Sequence, residues 1–488
     1  MLILVLANDL LLLYLGWEGV GLCSFLLIGF YYGDTKDAEK NALAARKSFL
    51  VTRIGDTSMI LGFFLLVKTF NTLNISEILQ AAPSVWETDS TTAIWAAALL
   101  LGGALGKSAQ LPLQTWLPDA MAGPSPVSAL IHAATMVTAG VYLLTRTYVL
   151  FELAPTVQMA VAIIGAATLF IASCSALAQD DIKRVLAYST ISQIGYMFLA
   201  CGVGAWSAAI FHFMIHAFFK ALLFLGAGAV ILALHHEQNM FKMGGLRKKL
   251  PVVFWTFLFG SAALASIPLI TAGFYSKDAI LWYSFAGEKG SIWLWLAGVV
   301  SAFLTALYTF RMVFLTFFGE QKTEVSHQPG LAIKVPLIIL GILSLVAGFI
   351  ELPHNFGHFA PFSEFLDKVL SPVKLVASPA IGEGILQLVA GGLALMGLFL
   401  AWRMYGKANA TQQQFGSPAA GGTFNFFYNG WNFDKLYDIL FVKPLVWLSR
   451  IDEKDFVDSI YKGIGRLNIE MNGACSHTQN GKLMYYLL

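Results

Sequence analysis

The stretch Gly106-Lys-Ser-Ala-Gln-Leu-Pro-Leu-Gln-Thr-Trp-Leu-Pro-Asp-Ala-Met-Ala-Gly-Pro-Ser-Pro-Val-Ser-Ala-Leu-Ile-His-Ala-Ala-Thr-Met136 decides the reading. It continues an apolar run that starts near Thr92, so Lys107 lies about fifteen residues into a segment long enough to cross a bilayer, which takes about 20 residues. Pro112 and Pro118 then interrupt that segment. Proline removes a backbone donor and clashes with the preceding turn. Inside a bilayer, freed backbone groups survive only where protein or trapped water satisfies them. A second long apolar run, Val252–Phe285, is interrupted in the same way at Ile267-Pro268 and Thr271-Ala-Gly273. Two interrupted helices in separate halves of one chain point to a transporter with duplicated structure. The alternative is a pair of ordinary proline kinks.

The composition around these stretches is that of a polytopic membrane protein. Of 488 residues, 57% are hydrophobic and 12% charged, where an ordinary soluble domain carries about a quarter charged residues. The net charge of +2 leaves no basic field for nucleic acid. Cys23, Cys174, Cys201 and Cys475 are scattered and form no Cys-x-x-Cys pair, so no metal or cluster site is expected and the four read as packing residues. Spans are expected near Leu10–Tyr32, Ser48–Phe70, Thr92–Met121 (interrupted), Val127–Leu150, Val157–Ala178, Val185–Gly202, Trp206–Leu234, Val252–Phe285 (interrupted), Ile292–Phe318, Val335–Ile350 and Ile381–Tyr405, with a stub at Met1–Ala7. The loops on one side then hold fourteen cations: Lys36, Lys40, Arg46, Lys47, Lys183, Arg184, Lys242, Arg247, Lys248, Lys249, Lys322, Lys334, Arg403 and Lys407. The alternate loops hold three: Lys289, Lys368 and Lys374. This bias places the basic loops in the cytoplasm, or in the matrix of an organelle.

The chain opens on Leu-Ile-Leu-Val-Leu-Ala with no basic n-region or cleavage site, which is not a signal peptide. We expect truncation at both ends, with the apolar Leu483–Leu488 as a clipped remnant. Residues 406–423 read as a small, polar linker. Beyond them Phe433, Leu436, Tyr437, Leu440, Phe441 and Leu445 recur at helical spacing despite Pro444, which predicts an amphipathic helix lying on the membrane or on partner proteins.

Ionisable residues at membrane depth call for a reason, because each costs roughly 2.5–3.5 kcal/mol on insertion scales. Glu18 lies mid-span in Leu15-Gly-Trp-Glu-Gly-Val20. Lys107 and His132 lie in the opening stretch, and Lys277 and Asp278 follow the second break. His212, His216 and Lys220 stand at i, i+4 and i+8, on one helical face about 6 Å apart per step. Desolvation penalises the charged form of any such group, so its protonation depends on its neighbours. A His can both accept and donate a proton. The column therefore reads as a proton relay, with bridging water; the plain alternative is a His bonded to a nearby carbonyl. Lys107 is read as functional against the alternative of a snorkelling Lys. Glu18 is read the same way against a structural Lys–Glu pair. Asp56 either joins the relay or pairs with Arg53 near the interface. Asp180, Asp181, Lys183 and Arg184 read as a solvated loop, and Asn74-Ile-Ser76 as a chance match to a glycosylation acceptor.

These motifs together resemble the antiporter-like subunits of respiratory complex I. The resemblance is carried by Leu15-Gly-Trp-Glu-Gly-Val-Gly-Leu-Cys-Ser24, the opening stretch, Asp181-Ile-Lys-Arg-Val-Leu-Ala-Tyr-Ser-Thr-Ile-Ser-Gln-Ile-Gly195 and Gly273-Phe-Tyr-Ser-Lys-Asp278, and spans nearly the whole chain. The tail Asn432-Phe-Asp-Lys-Leu-Tyr-Asp438 is similar to that of the distal member. The resemblance implies an all-α bundle of two inverted repeats, each with a broken helix, and a C-terminal lateral amphipathic helix. It divides the chain into a first repeat at 1–150, a second at 151–320, additional membrane helices at 321–405, the linker, and the lateral helix and tail at 424–488. It implies that Glu18 and Lys107 pair in a first half-channel. His132 would link toward His212, His216 and Lys220 as the central relay, and Lys277 with Asp278 would form the exit. It also implies proton movement without redox chemistry in this chain. NADH, FMN, iron–sulfur clusters and quinone are then expected in partner subunits, with no cofactor or metal held here. The expected partners are other membrane-arm subunits, especially the neighbouring antiporter-like one, and the lipid bilayer; nucleic acid is not expected. The expected location is a bacterial inner membrane, or the mitochondrial inner membrane. Rival readings are a subunit of a multi-subunit sodium or potassium/proton antiporter, a membrane partner in inorganic-carbon uptake, and a scaffold that transports nothing.

Overall fold

Small polar side chains start many of the helices. Asp9 accepts from the amides of Leu11 and Leu12, Asn74 from Ser76 and Glu77, Asp181 from Lys183 and Arg184, and Ser291 from Leu294. Each satisfies donors that the first turn leaves unpaired. Asn74 is thus a helix cap, and that role accounts for its motif. The computed structural model describes residues 1–33, 37–353, 355, 357, 359–376, 381–406, 422–451, 456–478 and 481. Lys36, Lys407, most of the expected linker and the apolar Leu483–Leu488 lie outside the described residues.

The chain runs through α1 (Leu2–Leu6), α2 (Leu10–Ile28), α3 (Ala38–Phe70), α4 (Ile75–Val85) and α5 (Thr91–Lys107). Next come α6 (Ser125–Ala133), α7 (Ala139–Arg146), α8 (Tyr148–Glu152), α9 (Pro155–Ala178), α10 (Ile182–Gly202) and α11 (Trp206–Ala233). Then follow α12 (Pro251–Leu264), α13 (Ala272–Ala286), α14 (Ile292–Phe317), α15 (Leu331–Val346), α16 (Pro361–Leu366), α17 (Glu383–Tyr405) and α18 (Thr423–Tyr428). Among the described residues, nine helical segments are long and apolar enough to cross a membrane, and α5 and α12 are shorter apolar helices. The protein is therefore an all-α, multi-pass membrane protein. Lys68 and Arg146 also close helices on the side away from the basic loops, without reversing the bias.

Both expected breaks are present. α5 stops at Lys107, and Ala109 takes a positive φ of 49° before the chain turns away. α12 stops at Leu264 and α13 resumes at Ala272. A third interruption was not expected. Val127–Leu150 reads as one continuous span, but α6 ends at Ala133 and α7 starts at Ala139, with a tight turn at Met136–Thr138 between them. No proline or glycine marks this site within Ala133–Ala139. The carbonyl of Ala133 at this site is met by His216 of α11.

α10 forms the axis of the bundle. It is less apolar than α15, yet its membrane-crossing window is wholly buried, while α15 keeps most of its surface at the periphery. Polar residues fit at the centre because protein rather than lipid surrounds them. α9 and α10 touch backbone to backbone: a Cβ at Gly202 would stand 2.2 Å from the amide nitrogen of Ala162, and one at Gly165 2.6 Å from that of Leu199. Between α3 and α5, a Cβ at Gly55 would stand 2.7 Å from the Gly102 carbonyl oxygen. Such small-residue contacts let membrane helices approach closely.

The described residues fall into two units, Met1–Trp431 and Asn432–Leu488. α18 belongs to the first, where the Tyr428 carbonyl accepts from Gln179 Nε2 (3.0 Å) and Trp431 Nε1 donates to the Ile171 carbonyl (3.2 Å). The second unit holds α19 (Phe433–Tyr437), α20 (Lys443–Ile451) and α21 (Phe456–Thr478). The expected helical spacing from Phe433 to Leu445 is present, but its pitch widens to a π-turn over Asp438–Val442, just before Pro444. That widening makes room for a residue whose ring clashes with the carbonyl four residues back. Ile460, Ile464, Leu467 and Met471 share one face of α21 by spacing.

Replacing Gly202 by Val should destabilise the protein by about 1–3 kcal/mol through overpacking. The check is thermal unfolding in detergent, with Gly392→Val as control, since a Cβ at Gly392 meets nothing within 4 Å. Equal melting temperatures for the two variants would refute the close α9–α10 contact.

Candidate functional site

Lys107 is the last residue of α5, where the helix has run out of amide donors for its carbonyls. The Gly106 carbonyl accepts from the indole Nε1 of Trp116 (3.1 Å) and, at 3.4 Å, from the Ala109 amide. The Lys107 ammonium donates to Asp56 Oδ2 at 2.9 Å, and the second oxygen of Asp56 accepts from Trp17 Nε1 at 2.7 Å. Lys107 and Asp56 are each 1% exposed. The glycine contact between α3 and α5 brings these two helices close enough for the pair. Gly21 of α2 provides its roof: a Cβ there would stand 2.6 Å from Lys107 Nζ.

This arrangement corrects the expected Glu18–Lys107 pair. Glu18 Oε1 is bound to Arg53 at 2.7 Å, with side chains 20% and 41% exposed. Asp56, the alternative partner for Arg53, is the residue that meets Lys107. The physical reason is burial. A desolvated ammonium needs a counter-charge equally withdrawn from solvent, and Arg53 stays half in contact with the surroundings. Trp17 and Gly21 both belong to the Trp-Glu-Gly motif region beside Glu18, where spacing alone does not distinguish their roles.

The third interruption houses His132. Its ring is stacked on Phe224 of α11, with centroids 4.9 Å apart and planes at 28°. Among the described residues neither ring nitrogen has a hydrogen-bond partner. The carbonyl of Ala133, freed where α6 ends, lies 3.0 Å from His216 Nδ1. A carbonyl only accepts, so His216 carries its proton on Nδ1 and, when neutral, presents a lone pair at Nε2. One turn further along α11, Lys220 donates to the Leu186 carbonyl (3.2 Å) and to Ser189 Oγ, both on α10. The column of His212, His216 and Lys220 is thus wholly buried on one face of α11. The ring centroids of His212 and His216 lie 6.4 Å apart, too far for a direct hydrogen bond.

His212 joins the column to the second break. Its Nδ1 lies 2.9 Å from Ser276 Oγ on α13, and its Nε2 3.2 Å from Gln193 Oε1 on α10. The next residue, Lys277, donates to the Leu264 carbonyl at 2.9 Å, at the C-terminal end of α12 where the helix dipole favours a cation. Its ammonium stands 5.2 Å from the ring centroid of Tyr196, whose hydroxyl donates to the Gly298 carbonyl at 2.6 Å. Asp278 faces the other way, accepting from Gln387 Nε2 of α17 at 2.7 Å.

A second correction concerns the loop before α10. Lys183 was expected to be solvated, but it is buried and donates to the carbonyls of Met121 and Gly123, both at 2.9 Å. The irregular backbone after the first break leaves those carbonyls open, and the Lys fills them. Asp119 of the same segment binds Lys47 (2.6 Å) and Arg184 (3.5 Å). Cys174 and Cys201 are buried as expected, whereas Cys23 and Cys475 are exposed; all four are free thiols. Among the described residues, no group of three or more His, Cys, Asp or Glu side chains could hold a metal ion.

Fold and site together define a polytopic membrane protein with broken helices and a buried row of ionisable side chains. A family profile described as "NADH:quinone oxidoreductase/Mrp antiporter, TM" matches residues 7–305. The chain belongs to that family. It is 51% identical over 490 residues to NADH-quinone oxidoreductase subunit L of Pseudomonas aeruginosa, covering all of this chain and 76% of the relative. It is 50% identical over 489 residues to the Escherichia coli K12 protein of the same name, with the same coverage. Among solved structures, one of the Mrp complex from Dietzia sp. DQ12-45-1b superposes with a TM-score of 0.74 at 26% identity, over 97% of this chain and half of that one.

A double-mutant cycle separates the two acid–base pairs. Removing one partner of the buried Lys107–Asp56 pair should cost about 3–5 kcal/mol, and Lys107→Met combined with Asp56→Leu should recover much of it. The Glu18–Arg53 pair should couple by about 1 kcal/mol or less. Thermal or denaturant unfolding of the six variants measures both energies; a larger coupling for Glu18–Arg53 would reverse the assignment.

Proposed function

We propose that this chain is a proton-translocating membrane subunit of an NADH:quinone oxidoreductase, and that the buried Lys and His side chains carry the protons. The observation that carries the reading is their shared burial. Lys107, His132, His212, His216, Lys220 and Lys277 are each at most 2% exposed, on or beside the interrupted helices and on α11 between them. A scaffold has no use for six such groups, given what each costs to place at membrane depth. The 51% identity to a named quinone oxidoreductase subunit supports the electron-driven version of proton transport.

In this mechanism the chain performs no redox step. NADH, flavin, iron–sulfur clusters and quinone belong to partner subunits of a membrane arm, and a neighbouring antiporter-like subunit passes on the electrostatic signal. A change of charge near Glu18 and Arg53 perturbs the Lys107–Asp56 pair beside it. When the pair opens, Lys107 gives up its proton toward the polar side chains after the break. The buried oxygens Ser108 Oγ, Gln110 Oε1 and Gln114 Oε1 and the nitrogens of His132 have no protein partner among the described residues, and buried groups of this kind are commonly served by water. Protons then reach Lys220, His216 and His212, and pass by Ser276 to Lys277 and Asp278. Residues 1–150 and 151–320 act as the two half-channels, in the inner membrane of a bacterium or a mitochondrion.

The superposition on the Mrp complex favours a second reading, a subunit of a cation/proton antiporter. The two differ in what drives transport. Lys107→Ala, Lys220→Ala or Lys277→Ala in the assembled complex, reconstituted in vesicles, should lower the protons moved per NADH oxidised, with the relay step slowed by about a hundredfold or more. Full stoichiometry in all three variants would end the relay assignment. Cation-gradient-driven proton uptake that needs no electron donor would favour the antiporter reading.

A further inference from the structure

α17 lies beyond the residues matched by the family profile and outside both half-channels, yet the face that meets α13 carries two polar side chains in its outer part. Positions 383, 387, 391 and 394 recur at helical spacing and read Glu, Gln, Gly, Ala. Gly391 packs on the second break, where a Cβ would stand 2.8 Å from Pro268 Cγ. Ala390, Gly391 and Ala394 wall a cavity of about 20 Å³ that also touches Lys277 and Asp278, room for about one water molecule. One turn outward, Gln387 is buried and its Nε2 donates to two carboxylates at once: Asp278 Oδ2 at 2.7 Å and Glu383 Oε1 at 3.5 Å. Glu383 is the first residue of α17, at the face opposite the basic loops, and is half-buried. Asp278 sits eight residues before the outer end of α13 at Ala286, about 12 Å below it.

A neutral side chain that bonds only one acid is an ordinary packing contact. An amide whose two hydrogens reach a buried acid and a half-exposed one sets the distance between two groups that can both bear a proton. We propose that α17 completes the outward route: Gln387 is a positioning residue that holds Asp278 against Glu383, and Glu383 is the last proton-bearing group before the outer aqueous phase. The inference rests on the reading of Lys277 and Asp278 as the exit. In the step itself the O–H bond of the Asp278 carboxylic acid breaks, the proton passes through a bridging water that gives up one of its own in turn, and an O–H bond forms on the Glu383 carboxylate, so the negative charge returns to Asp278. Lys277, through the adjoining cavity, reprotonates Asp278 by breaking one N–H bond. Glu383 then loses its proton to water.

The test uses the assembled complex in vesicles, with NADH and quinone supplied. Glu383→Gln should slow outward proton release per NADH oxidised by about tenfold or more. Gln387→Met, close in shape but without donors, should do the same and should also shift the carboxyl C=O infrared band that Asp278→Asn abolishes. Leu388→Ala, on the opposite and exposed face of α17, controls for general damage to the helix and should release protons at the native rate. Native release by Glu383→Gln and Gln387→Met, with the Asp278 band unmoved, would overturn the inference while leaving the function reading intact. Full pumping by Lys277→Ala would instead remove the reading on which it rests; the infrared band reports the Asp278–Gln387 contact in the resting complex, whichever of the two fails.

Discussion

A helix that stops inside a bilayer leaves carbonyls that lipid cannot satisfy, and much of the buried polar chemistry here answers that constraint. Three interruptions occur, and side chains from other helices meet each one. Trp116 takes the Gly106 carbonyl, His216 meets that of Ala133, and Lys277 takes that of Leu264. Two of these three partners are ionisable. The bonds that make the irregular backbone tolerable therefore also fix titratable groups at membrane depth. His216 illustrates the consequence: its bond to Ala133 selects a tautomer, and so leaves Nε2 as the nitrogen that can accept a proton.

The lysines differ in how they are held. Lys107 meets a carboxylate, Lys277 a helix C-terminus and an aromatic face, and Lys220 a carbonyl and a hydroxyl. A formal counter-charge stabilises the protonated form more strongly than a neutral acceptor does. The three ammonium groups are thus held by chemically different partners, one of them ionic and two of them neutral. The second oxygen of Asp56 is held independently, by Trp17.

Much of this was legible in the residues. The crossings follow from apolar length, the orientation from basic loops, two breaks from Pro112, Pro118, Pro268 and Gly273, and the shared face of His212, His216 and Lys220 from i, i+4 spacing. These are properties of one helix at a time. What stayed hidden depends on how helices meet. Glu18 and Asp56 are equally plausible partners for Lys107 along the chain; the choice is made by Gly55 and Gly21, which let α3 and α2 approach α5. The break after Ala133 carries no proline or glycine and is visible only once His216 is seen to fill its carbonyl. Lys183 sits in a charged run that looks solvated, and only the folded segment after the first break shows that two carbonyls need it.

The same reasoning explains why α10 is polar for a membrane helix. Ser189 and Gln193 face Lys220 and His212, Ser192 bonds Ser173 of α9 at 2.9 Å, and the Ile191 carbonyl accepts from Gln110 beyond the first break. A helix fully exposed to lipid could not carry these groups, and a fully apolar one could not anchor the row. α10 can do so because α9 and α11 shield it, and α9 shields it closely only because Gly165 and Gly202 remove the side chains that would hold the backbones apart. Tight packing around α10 is thus what permits it to carry hydrogen-bonding groups toward several neighbours at once.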